Sequence, residues 1–167
     1  MGKLSLDYIA GLIDADGSIS ISISEHRYVS KSGVAQPQYS FVINLRQVPQ
    51  YRYVLEDVLE TLGLGKIYDH KEYSKTSTRM NSWQTTQHEE TLEACKILRP
   101  YLHLKQKEAD LMIEALELWI NNSGEVRGTG FRRPDWVKDR VKQISSLMNP
   151  SQQKETSRRN KAIRSGQ

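Results

Sequence analysis

The chain has 167 residues, 37% of them hydrophobic, with 24 Lys and Arg against 20 Asp and Glu for a formal charge of +4. That length supports one domain with a buried core and argues against two ordinary ones; no apolar run approaches the ~20 residues that cross a bilayer, and no membrane partner is expected. Cys95 is the single cysteine, which rules out an internal disulfide or a cysteine metal cluster within one chain and fits an intracellular, reducing compartment.

Met1-Gly2-Lys3-Leu4-Ser5 leads into a patterned helix and lacks the three regions of a signal peptide. Ser5 is placed to cap that helix, Leu6, Ile9, Ala10 and Ile13 share one side of it, and Gly17 is placed to end it. Ser18 to Ser24 then alternates serine and isoleucine, the period of a strand buried on one face. After a polar loop through Lys31-Ser32-Gly33, Gln38 to Arg46 alternates again, with Tyr39, Phe41, Ile43 and Leu45 on one face. The two strands form a hairpin.

Pro49 opens a second helix with an apolar stripe of Tyr53, Val54, Val58, Leu59 and Leu62, and Gly63 lies just past its end. Lys66 to Tyr73 and Thr78 to Thr86 read as a second hairpin around the turn Ser74-Lys75-Thr76-Ser77. Helices follow: Glu89 to Leu98, stopped by Pro100, then Lys105 to Ile120, then Pro134 to Leu147 after a glycine-rich loop at Ser123 to Gly130. Cys95 fits a small buried hydrophobe on the first of these. The order is α-β-β-α-β-β and then helices. It predicts an α+β fold with a four-stranded antiparallel sheet, one face under helices and the other rich in hydroxyl, amide and basic groups. The domain is taken as residues 1–150. Beyond it, Ser151–Gln167 carries five basic residues against one acid, a +4 tail on a neutral body, compatible equally with phosphate binding and with a solvated terminus.

Residues 9 to 17 read Ile-Ala-Gly-Leu-Ile-Asp-Ala-Asp-Gly. This resembles the signature of the LAGLIDADG homing endonucleases at every position but the first, a far more specific match than a short glycine-rich pattern. The resemblance extends to the family's α-β-β-α-β-β-α core and to Leu98-Arg99-Pro100-Tyr101-Leu102-His103-Leu104-Lys105-Gln106-Lys107, similar to the segment that carries a basic catalytic residue in the homodimeric members. It covers most of residues 4 to 150, and the chain has the motif once.

The residue types make chemical sense. Gly11 and Ala15 are four apart on one helix face, so a second helix can approach closely and the chain can dimerise through the motif helix. A two-fold axis then brings two copies of Asp16 together, a pair of hard oxygen ligands suited to Mg²⁺. The resemblance implies a site-specific endonuclease that makes staggered double-strand breaks in a long pseudo-palindromic DNA by metal-dependent hydrolysis and promotes intron mobility. Its partners are double-stranded DNA and a second copy of the chain, with no small-molecule substrate. Mn²⁺ is expected to substitute for Mg²⁺, and Ca²⁺ to support binding only.

Carried over residue by residue, Asp16 and the Ala15 carbonyl are the metal ligands, Gln47 positions the attacking water, and Lys105 stabilises charge at the site. Asp14 caps and packs helix ends. Homodimeric members place an arginine at the start of the second helix. This chain has Tyr51 there and Arg52 next to it, an offset that turns a side chain by about a quarter turn or more. Arg52 is kept as a catalytic candidate.

In the family the sheet lies in the major groove and alternate side chains read bases. On the strand parity above, the reading set is Ser20, Ser22, Ser24, His26, Gln38, Ser40, Asn44, Arg46, Lys66, Tyr68, His70, Ser82 and Gln84, with Lys154 of the tail on phosphate. Few arginines and many serines predict tolerant recognition through many weak contacts. The alternatives are an RNA maturase, a catalytically inactive DNA-binding protein and a structural α+β dimer. Asp16, Gln47 and Lys105 together argue for the enzyme, and a salt-insensitive chain with no nucleic-acid affinity would argue for the last.

Overall fold

Ser5 starts the first helix, α1 (Leu6–Asp16), its Oγ accepting from the Tyr8 N–H. In this computed structural model, which describes residues 3–29, 35–70, 79–123 and 133–149 (the side chains of 25–29 and 35–36 excepted), α1 runs straight into the sheet. Strands β1 (Gly17–Val29) and β2 (Ala35–Gln47) follow, then a 3₁₀ turn at Pro49–Tyr51, α2 (Arg52–Leu62), β3 (Lys66–His70) and β4 (Met80–Thr85). The chain continues with α3 (His88–Leu98), a second 3₁₀ turn at Arg99–Tyr101, α4 (Gln106–Asn121) and α5 (Asp135–Met148). The strands form one antiparallel sheet in the order β1-β2-β4-β3. This is the expected α+β class.

Period-2 alternation decides which face is covered. Ile19 and Ile21 of β1, Phe41, Ile43 and Leu45 of β2 and Trp83 of β4 are buried, and they join Ile9, Ile13, Leu55, Val58, Leu98, Met112, Leu116, Val141 and Ile144 of the helices in one core. The Trp83 indole N–H donates to the Leu64 carbonyl at 2.9 Å, fixing the link between α2 and β3. Ser145 Oγ of α5 donates to the Ile21 carbonyl at 3.0 Å. Among the described residues no helix is long and apolar enough to cross a membrane.

Several boundaries differ from expectation. β1 and β2 are longer than Ser18–Ser24 and Gln38–Arg46, because pairing resumes after a break: the register jumps from Ser24↔Gln38 to Tyr28↔Gln36. Pro37, with no N–H to donate, sits in that jump, where a strand tolerates it. In α2 the inward stripe is Leu55, Val58, Leu59 and Leu62, while Tyr53 is 48% exposed. Tyr53 stands five residues before Val58, about 140° round the helix from it, whereas Leu55 is three residues before Val58 and shares its face. The turn at Ser74-Lys75-Thr76-Ser77, the loop at Ser123 to Gly130 and the tail lie outside the described residues.

Gly63 does end α2 in the left-handed region, at φ 66°. Gly17 ends α1 differently. Its φ of −86° is open to any residue, but a Cβ there would lie 2.7 Å from Ile13 Cα, 2.9 Å from the Ile13 carbonyl oxygen and 3.1 Å from the Asn44 carbonyl oxygen. The glycine is needed for space where the helix turns into the sheet. All three obstacles are backbone, so Gly17→Ala is expected to cost about 2–3 kcal/mol in urea unfolding; an unchanged midpoint would show that the junction yields freely.

Candidate active site

The C-terminal end of α1 is where the motif, the sheet and α4 meet. Asp14 and Asp16 are separated by one residue and have opposite surroundings. Asp14 is buried, and its carboxylate accepts three backbone N–H groups: His103 at 2.7 Å, Leu104 at 3.2 Å and Lys105 at 2.9 Å. These are the free donors just ahead of α4, so an acid of one helix caps another and meets the positive end of its dipole. Burial pushes the Asp14 carboxyl up, but the N–H groups of His103, Lys105 and Leu104, with the Lys105 charge, hold it below 3.8 on balance. The expected structural role of Asp14 thus has definite partners.

Asp16 is exposed. The Lys105 ammonium donates to the Asp14 carbonyl oxygen, which places this cation on the last turn of α1, two residues from Asp16. Gln47 is the last residue of β2. Asp16 immediately precedes the first ladder pair, Gly17↔Leu45, and Gln47 lies two positions beyond Leu45. Asp16, the Lys105 ammonium and Gln47 therefore lie at one end of the sheet.

Arg52 is held elsewhere. Its guanidinium binds Glu56, four residues on in α2, at 2.8 Å, and also Asp69 of β3. With its amide nitrogen turned to Asp69, Asn81 donates to Asp69 Oδ1 at 3.1 Å. Asp69, Asn81 and Gln47 are successive ladder partners across β3, β4 and β2, so a polar row runs from Arg52 to Gln47 at the sheet end. Asp69 and Asn81 went unnoticed in the sequence. The Arg52–Glu56 spacing was a visible signal, but a partner 17 residues away was not.

The open face of the sheet carries the expected set. The register aligns Ser20, Ser22 and Ser24 with Val42, Ser40 and Gln38, and then Asn44 and Arg46 with Gln84 and Ser82, and those with Lys66 and Tyr68. His70 is half-buried beside Met80 on the same face. Ser82 differs from the rest: it is wholly buried. Its Oγ accepts from Gln84 Nε2 at 2.7 Å and lies 2.7 Å from His70 Nε2, so it orients its neighbours and offers no surface of its own. The side chains of His26 and Lys154 lie outside the described residues.

On α1, Ile9, Ala10 and Ile13 face the core, while Gly11 and Ala15 are exposed beside Tyr8, itself 52% exposed. A Cβ at Gly11 would meet nothing within 4 Å. Smallness at these two positions does nothing inside the chain. Among the described residues of one chain, no group of three or more His, Cys, Asp or Glu is placed to hold a metal ion. Asp16 and the backbone carbonyls of the last helical turn are oxygen donors at the negative end of a helix dipole, an incomplete but suitable set for a hard cation.

Residues 9–113 match the sequence profile of a family described as LAGLIDADG endonuclease. The DNA endonuclease I-CreI of Chlamydomonas reinhardtii is 29% identical over 118 residues, which cover 69% of this chain and 64% of the relative, so the match spans less than two thirds of that protein's length. Among solved structures, the homing endonuclease I-TnaI superposes with a TM-score of 0.70 at 13% identity, covering 97% of this chain and 99% of that one. I-CvuI, in complex with the I-CreI target in the presence of 2 mM Mg, superposes with a TM-score of 0.57 at 19% identity, covering 83% and 93%.

Proposed function

The chain belongs to the LAGLIDADG endonuclease family, and from that premise we propose that it is a site-specific DNA endonuclease that acts as a homodimer on a long pseudo-palindromic target. The observation that carries the proposal is the end of α1. An exposed Asp16 follows, by two residues, the carbonyl that holds the Lys105 ammonium, on a helix whose exposed Gly11 and Ala15 invite a second helix. One chain offers one such acid. A duplex has two strands to cut, so a two-fold pair of chains supplies one site for each.

The proposed division of labour follows from the surroundings of each group. Exposed Asp16 and the Ala15 carbonyl would hold a divalent cation, with the second copy of the chain completing the donor set. Mg²⁺ held there would supply neutralising charge for phosphodiester hydrolysis; Mn²⁺ should serve as well, and Ca²⁺ should support binding only. Gln47, at the strand end, orients the water through its amide. Lys105, anchored by its own N–H to Asp14, offers positive charge to the phosphate. Arg52, engaged by Glu56 and Asp69, acts through Asp69 and Asn81 on the Gln47 end of the sheet.

The open sheet face lies in the major groove with Ser20, Ser22, Ser24, Gln38, Ser40, Asn44, Arg46, Lys66, Tyr68, His70 and Gln84 toward the bases, and breaks are staggered across the two sites. Such breaks at one long site per genome are what intron mobility requires. Selection of cleaved molecules from a random DNA library in Mg²⁺ is expected to return a pseudo-palindrome of about 20 base pairs, from a protein that sediments as a dimer. No cleavage with any divalent ion, or a monomer at working concentration, would overturn the proposal.

A further inference from the structure

Three side chains from two strands meet at a single hydroxyl on the open face of the sheet. Ser82 of β4 is 0% exposed, and its Oγ sits between Gln84 Nε2 and His70 Nε2, 2.7 Å from each. Register explains the meeting. Tyr68 lies opposite Ser82 and His70 opposite Met80, so His70 is diagonal to Ser82, while Gln84 is the next residue along β4 on the same face. His70 and Gln84 are half-buried and flank the hydroxyl.

A serine hydroxyl has one proton to give and can accept in return. With Gln84 Nε2 donating to Ser82 Oγ, the hydroxyl proton is directed to His70 Nε2, and the neutral imidazole carries its proton on Nδ1. Gln84 then shows its Oε1 acceptor outward and His70 shows a donor. The reverse setting is equally complete: His70 Nε2–H donates to Ser82 Oγ, the hydroxyl donates to Gln84 Oε1, and the amide nitrogen and a bare Nδ1 face outward. Mixed settings are not complete. Either two donors converge on the oxygen and strand its proton, or two acceptors compete for it; leaving a buried group unpaired disfavours such a state about fivefold or more. Asn44 favours the existence of the reverse setting. It is the ladder partner of Gln84 on β2, and its Oδ1 is buried without a donor, an acceptor for one N–H of the turned amide.

We infer that Ser82 is a positioning residue that couples the base preferences under His70 and Gln84, so that the two positions are read together and not independently. In the first setting Gln84 takes a base donor (cytosine N4 or adenine N6) while His70 takes an acceptor such as guanine N7 or O6; in the second the preferences exchange. Ser82 contacts no base itself. The inference rests on the reading of this sheet face as the DNA surface.

The test is a selection from a library randomised across the half-site, at neutral pH in Mg²⁺, sequencing bound and cleaved molecules separately for the wild type, Ser82→Ala and His70→Phe. In the wild type one pair of base positions is expected to co-vary, with matched combinations enriched about fivefold over the product of their separate frequencies. Ser82→Ala should lose that enrichment and broaden the preference at both positions, and His70→Phe should lose it too by removing one end of the relay. Independent preferences in the wild type, or co-variation that survives in Ser82→Ala, would overturn the inference. Binding without cleavage would defeat the endonuclease reading and leave the bound pool to judge the coupling; no binding at all would defeat both.

Discussion

Asp16→Asn is expected to lower Mg²⁺-dependent double-strand cleavage by about 10³-fold or more while leaving affinity for the target unchanged or slightly tighter. The rate loss follows from the donor chemistry. An amide oxygen is nearly isosteric with a carboxylate oxygen, but it brings no charge to a hard cation, and the stabilisation of developing charge at a phosphate by such an ion is worth several kcal/mol. The direction of the binding change comes from Coulomb's law. A carboxylate aimed at DNA repels the phosphates in the absence of metal, and its removal relieves that repulsion. Loss of both cleavage and binding would assign Asp16 to folding or assembly, and its exposure argues against that. Undiminished cutting would remove it from the site. Cleavage rates with saturating enzyme, beside equilibrium binding in Ca²⁺, separate the three outcomes.

Asp16 was legible because it belongs to a nine-residue pattern, and the sheet face was legible because period 2 is rigid. Once Ile19, Ile21, Phe41 and Ile43 are assigned to the core, the serines and amides between them must lie on the other side. What failed was phase and distance. Tyr53, five residues before Val58, is off the stripe that Leu55, Val58, Leu59 and Leu62 make at helical spacing, and a break in pairing hid the far ends of β1 and β2. Long-range polar partners left no trace either: nothing in the sequence joins Arg52 to Asp69, or tells that Ser82 is buried under its neighbours while Ser22 is exposed. Alternation assigns a face. Accessibility on that face depends on what leans across from the next strand.

The case of Asp14 shows how such a hidden partner bears on function. Two carboxylates in one motif invite one role, yet Asp14 is spent on the N–H groups of His103, Leu104 and Lys105. Replacing it by alanine strands those donors at the start of α4, among them the Lys105 N–H, and is expected to destabilise the chain by about 3 kcal/mol at neutral pH; Asp14→Asn, which keeps an acceptor without the charge, should cost about 2 kcal/mol. The pH dependence has a definite sign. The folded pKa lies below 3.8, so the native state binds this proton less readily than the unfolded chain. The contribution is full above about pH 5 and is lost as pH falls through the unfolded value and then the folded one. Urea midpoints of the wild type and Asp14→Asn should therefore converge as the pH is lowered below 4, and a gap that is constant from pH 7 to pH 3 would show that the carboxylate charge is not what α4 uses. Cleavage should fall in Asp14→Asn even where the protein remains folded. The end of α1 holds both the N–H and the ammonium group of Lys105, so in the proposed mechanism the buried acid of the motif sets the position of the cation that serves the exposed one.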